Sequence, residues 1–373
     1  MHPQNLERFA DLLRSHGLAA ALLADPATIT WLTGYAPPIE TGPSPFEGSA
    51  VLAWWHAGEL HLIVSDMEAA AAQEAAPSAV HSYLSYTIEA PLAGAANQAQ
   101  ALHDVLNVAA PKGDKVGVEW QCLTAPLVDV LRHALAAADF VPLDGAFAGL
   151  RAIKTAEEIA KVRAALRLCD AAQSFMQQAL QPGKTELDLW AATRAHVEGL
   201  AGGRLPILAD LVAGTRTADI GGPPSAYRLQ PGDPLILDFV PRLQGYWGDN
   251  AATFFAGSPS AELDKAYRVV RRSLQRGVEA ARPGVPARDL DALLRQAVLA
   301  EGYEPYPHHS GHGIGAAYHE EPRIVPYNSL KLEPGMVVAL EPGVYLPGVG
   351  GVRLEDVVLI TVDGNEVLTT HLT

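Results

Sequence analysis

Four carboxylates and one histidine-dense stretch are the residues of this sequence best suited to chemistry. Asp238 ends the apolar run "PLILD" and Asp249 opens "DNAATFF", with Pro241 and Gly245 between them as turn formers. A hairpin turning at Leu243–Gln244 sets the two aspartates symmetrically about the turn. Directly opposed residues share one sheet face, with Cβ atoms about 4.5–5.5 Å apart. Glu341 ends "VVALE", Glu355 lies in "GVRLEDVV", and the glycine-rich "PGVYLPGVGG" joins them with its midpoint at Gly348, a second candidate facing pair. Carboxylates that close repel unless one is protonated or a cation sits between them, and an apolar strand is a costly place for an unpaired charge. Taken singly, each acid reads as a strand cap or a solvent-facing residue; two such pairs in one domain point to a site. Four carboxylates with one or two histidines form a hard, oxygen-rich cage suited to a pair of divalent ions such as Mn, Co or Zn. Two-metal hydrolytic sites hold their ions about 3.5–4 Å apart, a spacing that facing carboxylates bridge.

The stretch "HHSGHGIGAAYHE", residues 308–320, holds four of the thirteen histidines. Its "GHGIGA" matches a dinucleotide-binding glycine pattern, but that pattern needs a strand before it and a helix after. Here "YEPYPHHS" precedes and "AYHEEPRIVPY" follows, with prolines on both sides, so the nucleotide reading fails. His308 and His312 have helical i, i+4 spacing, yet the glycines oppose a helix. In an extended segment His312 and His319 have opposite parity. One histidine ligand with polar helpers fits better than a histidine-only cage, and His309 is read as a structural residue.

Positioning these groups requires strands, and the pattern supplies them. The catalytic-type residues fall in the second half, where "TAEEIAKVRAALRLCDAAQSFMQQAL" starts as a capped helix and "TELDLWAATRAHVEGLA" makes a second. Strand candidates follow near 206–213, at "DPLILDFV" and at "NAATFF", then two helices at about 260–281 and 286–301. The chain ends in strands "MVVALEPGVYL", "GVRLEDVVLIT" and "NEVLTTHL". Helices followed by antiparallel strands fit an α+β domain. The first half alternates instead: helix "LERFADLLRSHG", strand-like "AAALLA", "ITWLTGY", "SAVLAWW" and "LHLIVSD", helical "DMEAAAAQEAA", strand "KVGVEW" and helix "LVDVLRHALAAA". That is a smaller α/β domain without a cluster of catalytic residue types. The expected boundary divides 1–150 from 151–373.

The 373 residues are 49% hydrophobic and 18% charged, enough apolar material for two cores. A net charge of −15 argues against binding to nucleic acid or anionic membrane. Two cysteines, Cys122 and Cys169, make no disulfide framework. "MHPQNLERFADLL" carries no secretory pattern, and no run approaches the ~20 apolar residues that span a bilayer. A cytoplasmic protein is expected.

Asp238, Asp249, His312, Glu341 and Glu355, in the contexts "LDF…GYWGDNAATF", "HHSGHGIGAAYHEEP", "LEPGMVVALEPGVY" and "GVRLEDV", resemble the metallopeptidase family of pita-bread fold. That family includes Xaa-Pro aminopeptidases, prolidases and methionine aminopeptidases. The strong match covers roughly 150–373, and 1–150 resembles the creatinase/prolidase N-terminal domain. The resemblance implies a C-terminal pita-bread (creatinase/aminopeptidase) fold preceded by the smaller α/β domain. It also implies two divalent metal ions, manganese first, with cobalt or zinc as alternatives. Asp238 would chelate one ion, Asp249 and Glu355 would bridge both, and His312 and Glu341 would hold the second. Glu341 would also shuttle the proton of a hydroxide bridging the ions. His319 would hydrogen-bond the scissile amide and stabilise the tetrahedral intermediate, His308 would line the proline-side pocket, and Arg353 matches an arginine found near such sites.

Two departures from the family pattern stand out. In "IGGPPSAYR", Gly221 occupies the position of a substrate-contacting histidine, and Asn250, Ala251 and Ala252 replace residues of a "DxTRT"-like segment, removing a threonine. The expected activity is hydrolysis of the Xaa-Pro bond at the N-terminus of small peptides or in dipeptides with proline second, by a homodimer. A methionine aminopeptidase is disfavoured because those enzymes generally lack such an N-terminal domain. The rival readings are a creatinase-like C–N hydrolase that works without metal and a peptidase-derived binding protein.

Overall fold

A computed structural model describes residues 2–39, 50–108 and 114–372. By internal packing the chain divides into Met1–Leu150 and Arg151–Thr373. The first unit is built on a six-stranded sheet whose central strand, Leu18–Leu23, pairs antiparallel with Leu52–His56 and parallel with Lys115–Val118. Its core gathers Leu22, Leu52, Trp54 and Ile63 with Leu102 and Leu106 of the helix Gly94–Val108. One element differs from expectation. "ITWLTGY", expected as a strand, has its residues 29–33 in the helix Pro26–Thr33. Asp25 accepts the amide of Ala27, Pro26 opens the helix and Gly34 closes it in the left-handed region. Those capping signals outweigh β-branching. Of the run "SAVLAWW", the strand begins at Leu52, and Ser49 lies outside the described residues.

The second unit carries two larger antiparallel sheets, each covered by its own pair of helices, and a two-stranded sheet of Gly343–Leu346 with Gly350–Arg353. Helices Ala156–Ala179 and Glu186–Ala201 both open on full capping boxes, Thr155 with Glu158 and Thr185 with Asp188. They pack Leu168, Met176, Leu189 and Val197 against Leu211, Leu235, Leu237 and Phe239 of the sheet formed by Ile207–Ala213, Pro234–Leu243 and Asn250–Phe255. Because side chains alternate along a strand, these odd-numbered residues face the helices. The even-numbered Asp210, Asp238 and Val240 therefore face the other way. Helices Ala261–Ala280 and Ala287–Leu299 likewise bury Val270, Leu274, Leu290 and Leu294 on Ile324, Val338, Leu340 and Val358 of a five-stranded sheet. Among the described residues no helix is long and apolar enough to cross a membrane.

Candidate metal centre

The two acidic pairs sit where strands end or change partners. In the first hairpin Arg242 pairs with Trp247 and Leu243 with Tyr246, so the turn is Gln244–Gly245, both with positive φ (50° and 85°). That corrects the expected turn at Leu243–Gln244. A two-residue turn with both φ positive matches strand twist, and glycine suits its second position. The register moves by two, so Asp238 stands opposite Ala251 rather than Asp249. A shift of two keeps parity, and both aspartates still line one cavity.

The second pair rests on a continuous register. Val337–Leu340 pairs with Asp356–Ile360, Leu340 opposite Asp356, while Gly343–Leu346 pairs with Gly350–Arg353, Gly343 opposite Arg353. Both ladders centre on Gly348. Each expected long strand breaks at its glutamate: Glu341 and Glu355 occupy the steps where the chain passes from one sheet to the other. Their backbone amides are tied down there, Glu341 N–H to Ser310 O at 3.0 Å and Glu355 N–H to Ala251 O at 2.9 Å. The Thr253 hydroxyl joins the hairpins, donating to Arg353 O at 2.8 Å and accepting its N–H at 3.0 Å.

His312 lies in the short strand Gly311–Gly313, opposite Ala339. The flanking glycines are packing devices. A Cβ on Gly311 would lie 2.0 Å from Ala339 O, and one on Gly313 would lie 2.2 Å from Glu321 O. The glycines let a strand slide between two others and deliver one imidazole. Gly313 O lies 2.9 Å from Nδ1 of His312, which assigns the proton there. Nε2 is left bare, 3.5 Å from Asp249 Oδ2 and 3.7 Å from Glu341 Oε1.

The cavity measures about 390 Å³ and is lined by Asp238, Asp249, His308, His309, His312, His319, Glu341, Arg353 and Glu355, with Asp210, Leu208, Ile220, Val240 and Tyr318. All eight residues to which the sequence assigned site roles therefore meet in one place. His308 Nε2 lies 2.9 Å from Tyr345 Oη, and the His319 ring centroid is 4.1 Å from that of His312. His309, read from sequence as structural, also belongs here: its Nε2 is 2.9 Å from Glu341 Oε1. Strand alternation does not apply to residues 304–309, which form no regular element, so consecutive histidines both reach the cavity. Asp210 was missed as well. Its one signal is a lone acid in the otherwise apolar "ILADLVA". Asn250, by contrast, turns away from the cavity, accepting from Gln173 at 2.9 Å and donating to Asp170 at 3.0 Å.

The site's electrostatics ask for cations. Burial pushes the Asp238 carboxyl up to about 6 despite the Arg353 guanidinium at 2.8 Å. Burial, then Glu355 and Asp238, push Asp249 well above the usual carboxylate range; burial and the charges of Glu341 and Asp238 do the same to Glu355. Burial acts upward on Glu341 too, but the His309 contact and the rings of His308 and His312 hold it down at about 2. Burial lowers His308 and His312 to about 4 and His319 to about 3, so all three are neutral imidazoles near pH 7. Among the described residues, Asp238 Oδ1, Asp249 Oδ1 and Glu355 Oε1 are buried without a hydrogen-bond partner. Ligand atoms of Asp249, His312 and Glu355 all lie within 4.8 Å of one another. Orphaned carboxylate oxygens around an unprotonated imidazole nitrogen fit divalent metal ions.

Chelated protein is expected to lose thermal stability as pH rises past about 6, where Asp238 gives up its proton, and on into the range to which burial lifts Asp249 and Glu355. A carboxyl whose folded pKa is raised costs nothing below its unfolded value, near 4, and destabilises as pH climbs through the folded one. Histidines with lowered pKa act oppositely, but only below their ordinary 6.5. Above that pH the carboxylates alone set the slope. Added Mn²⁺ should flatten it, and a melting curve that stays flat under chelation would contradict the charge state described.

This α+β unit with its buried acidic, histidine-bearing cavity is that of a metallopeptidase of pita-bread fold, as the family match and the solved structures show. The chain belongs to metallopeptidase family M24, whose model matches residues 160–362, and the creatinase/prolidase N-terminal domain model matches residues 5–153. It is 35% identical over 258 residues to the Xaa-Pro dipeptidase of Pyrococcus furiosus, covering 69% of this chain and 74% of that protein. The structure superposes on the Xaa-Pro dipeptidase from Bacillus anthracis with a TM-score of 0.83 at 27% identity, covering 98% of this chain and 97% of the other. The prolidase from Pyrococcus horikoshii gives 0.83 at 25%, covering 98% of each chain. Family membership implies divalent metal ions.

Proposed function

We propose that this chain is a dinuclear-metal exopeptidase that hydrolyses the Xaa-Pro bond of dipeptides and of short peptides with proline second. The observation that carries the reading is the meeting of Asp238, Asp249, His312, Glu341 and Glu355 in one cavity with three carboxylate oxygens unpartnered. The dipeptidases and prolidases to which it is similar act in the same sense. Asp249 and Glu355 would be shared between two ions, Asp238 would complete one and His312 with Glu341 the other. When bound, two such ions, manganese first, supply a water acidic enough to ionise near neutral pH and a Lewis-acid contact for the scissile carbonyl.

The chain's own groups do the rest. Glu341, ionised, takes the proton of the attacking water and delivers it to the leaving nitrogen, which in an Xaa-Pro bond has no hydrogen of its own. His319, neutral, donates its N–H to the oxygen on which charge develops. His308, held by Tyr345, borders the proline side, and Arg353 fixes Asp238. As part of the same reading the enzyme works as a cytoplasmic homodimer.

The test is hydrolysis of Ala-Pro and of a longer Ala-Pro peptide by purified protein, after measurement of bound metal and addition of Mn²⁺. Release of proline or of the Pro-led peptide with about two metal equivalents per chain is expected. Metal uptake without cleavage would favour a binding protein, and turnover of a small C–N substrate by metal-free protein would favour a creatinase-like hydrolase.

A further inference from the structure

Asp210 is a cavity carboxylate that the five-residue set does not use. It stands directly opposite Asp238 across the strand pair, which places the two carboxyl groups on one sheet face with Cβ atoms about 4.5–5.5 Å apart. Like charges so opposed destabilise a sheet. The Arg353 guanidinium offsets one of them: a single Nη2 lies 2.8 Å from Asp238 and 3.2 Å from Asp210. One cation shared by two carboxylates leaves one negative charge over.

That remaining charge faces the cavity. Asp210 Oδ1 accepts Gly222 N–H at 2.8 Å, yet its side chain is still 38% exposed, against 16% for Asp238. The local backbone is shaped around it. A Cβ on Gly221 would lie 2.0 Å from Asp210 Oδ2, so a side chain at 221 and this placement of Asp210 exclude each other. The next pair on the same sheet face is Leu208 with Val240, both apolar and both lining the cavity. An ammonium with an aliphatic stem matches that wall, since the stem covers apolar surface while the charge meets the acid.

Resting on the peptidase reading, we propose that Asp210 determines specificity by receiving an ammonium group of the substrate's first residue. Two groups carry that chemistry: the α-ammonium present on every free N-terminus, and the side chain of an N-terminal lysine. A charge-assisted hydrogen bond to either is worth more than a neutral one, and the site loses it when Asp210 becomes neutral.

Wild type and Asp210→Asn, both loaded with Mn²⁺, would be compared on two substrate pairs by kcat/KM. The first is Ala-Pro against 2-hydroxypropanoyl-proline, which replaces the amine by a hydroxyl. The second is Lys-Pro against norleucyl-proline, which removes only the side-chain charge. Ratios within a pair cancel any loss common to both substrates, such as a displaced Arg353. Asp210→Asn is expected to shrink one ratio about tenfold: the first identifies the α-ammonium, the second the side chain. Gly221→Ala, which forces Asp210 aside, is expected to shrink the same ratio with the carboxylate still present, and it serves if the asparagine variant does not fold. Ala-Pro hydrolysis with both ratios unchanged in the variants would overturn the proposal. Failure of metal-loaded wild type to cleave Ala-Pro would overturn the peptidase reading with it.

Discussion

Asp249→Ala is expected to lose bound metal and to lower kcat/KM for Ala-Pro by at least about a thousandfold, about 4 kcal/mol of transition-state stabilisation. Asp249 is 4% exposed, one of its oxygens has no partner, and the other is 3.5 Å from His312 Nε2. That imidazole is neutral, and among the described residues no Lys or Arg pairs with Asp249. A buried carboxylate placed for structure alone has donors, and removing it strands them at a cost of about 3–5 kcal/mol. Removing Asp249 should do the reverse. Burial and the neighbouring Glu355 and Asp238 already push its proton affinity up, so the chelated variant should melt at or above chelated wild type at pH 8. Addition of Mn²⁺ should then raise the wild-type melting temperature and leave the variant's unmoved. Metal content by elemental analysis and paired thermal melts check both halves. A variant retaining two equivalents of metal, or one that melts far below chelated wild type, would contradict the assigned role.

The parts of this site differ in how plainly they can be read in the chain, and the reasons are local. Glu341 and Glu355 are symmetric about Gly348 because the connection between them is itself a paired hairpin that continues the register of the flanking strands. Asp238 and Asp249 were placed two residues out of register, since Gln244–Gly245 rather than Leu243–Gln244 makes the turn; parity rescued the conclusion that they share a face. His312 was legible once its glycines were denied a phosphate, although the tight approach to Ala339 and Glu321 that requires those glycines is a tertiary fact. His309 was illegible because side-chain alternation has meaning only inside a strand. Asp210 announced itself only as a polar residue in an apolar run, a pattern shared by many strand residues that face solvent. The helix at Pro26–Thr33 shows the same limit from another side: its N-cap, Asp25, lies outside the run expected as a strand.

His319→Ala is expected to keep its metal and to lose about a hundred- to thousandfold in kcat, the range found when one donor to a developing oxyanion is removed. The cavity offers a competing assignment, because ring nitrogens of His309, His312 and His319 also lie within 4.8 Å of one another, close enough for a histidine-only site. Charge decides between them. A cation held by the three imidazoles alone would leave Asp249 and Glu355 buried, unpartnered and unneutralised, whereas a cation held with Asp249 and Glu355 satisfies the oxygens that lack donors. His319 is also the less enclosed ring, open to solvent where His312 is 1% exposed, which suits a group that meets substrate. Burial keeps it neutral at about 3, so it can donate one N–H without bringing a charge that would repel the metal ions. The two assignments predict different measurements. As a donor to substrate, His319 leaves metal content and the Mn²⁺-induced melting shift intact when it becomes alanine, and His319→Gln, which retains an N–H, recovers part of the rate. As a ligand, its loss lowers metal occupancy in step with activity, and excess Mn²⁺ restores both. Recovery of kcat by excess Mn²⁺ alone would therefore place His319 among the ligands and refute its role as a hydrogen-bond donor.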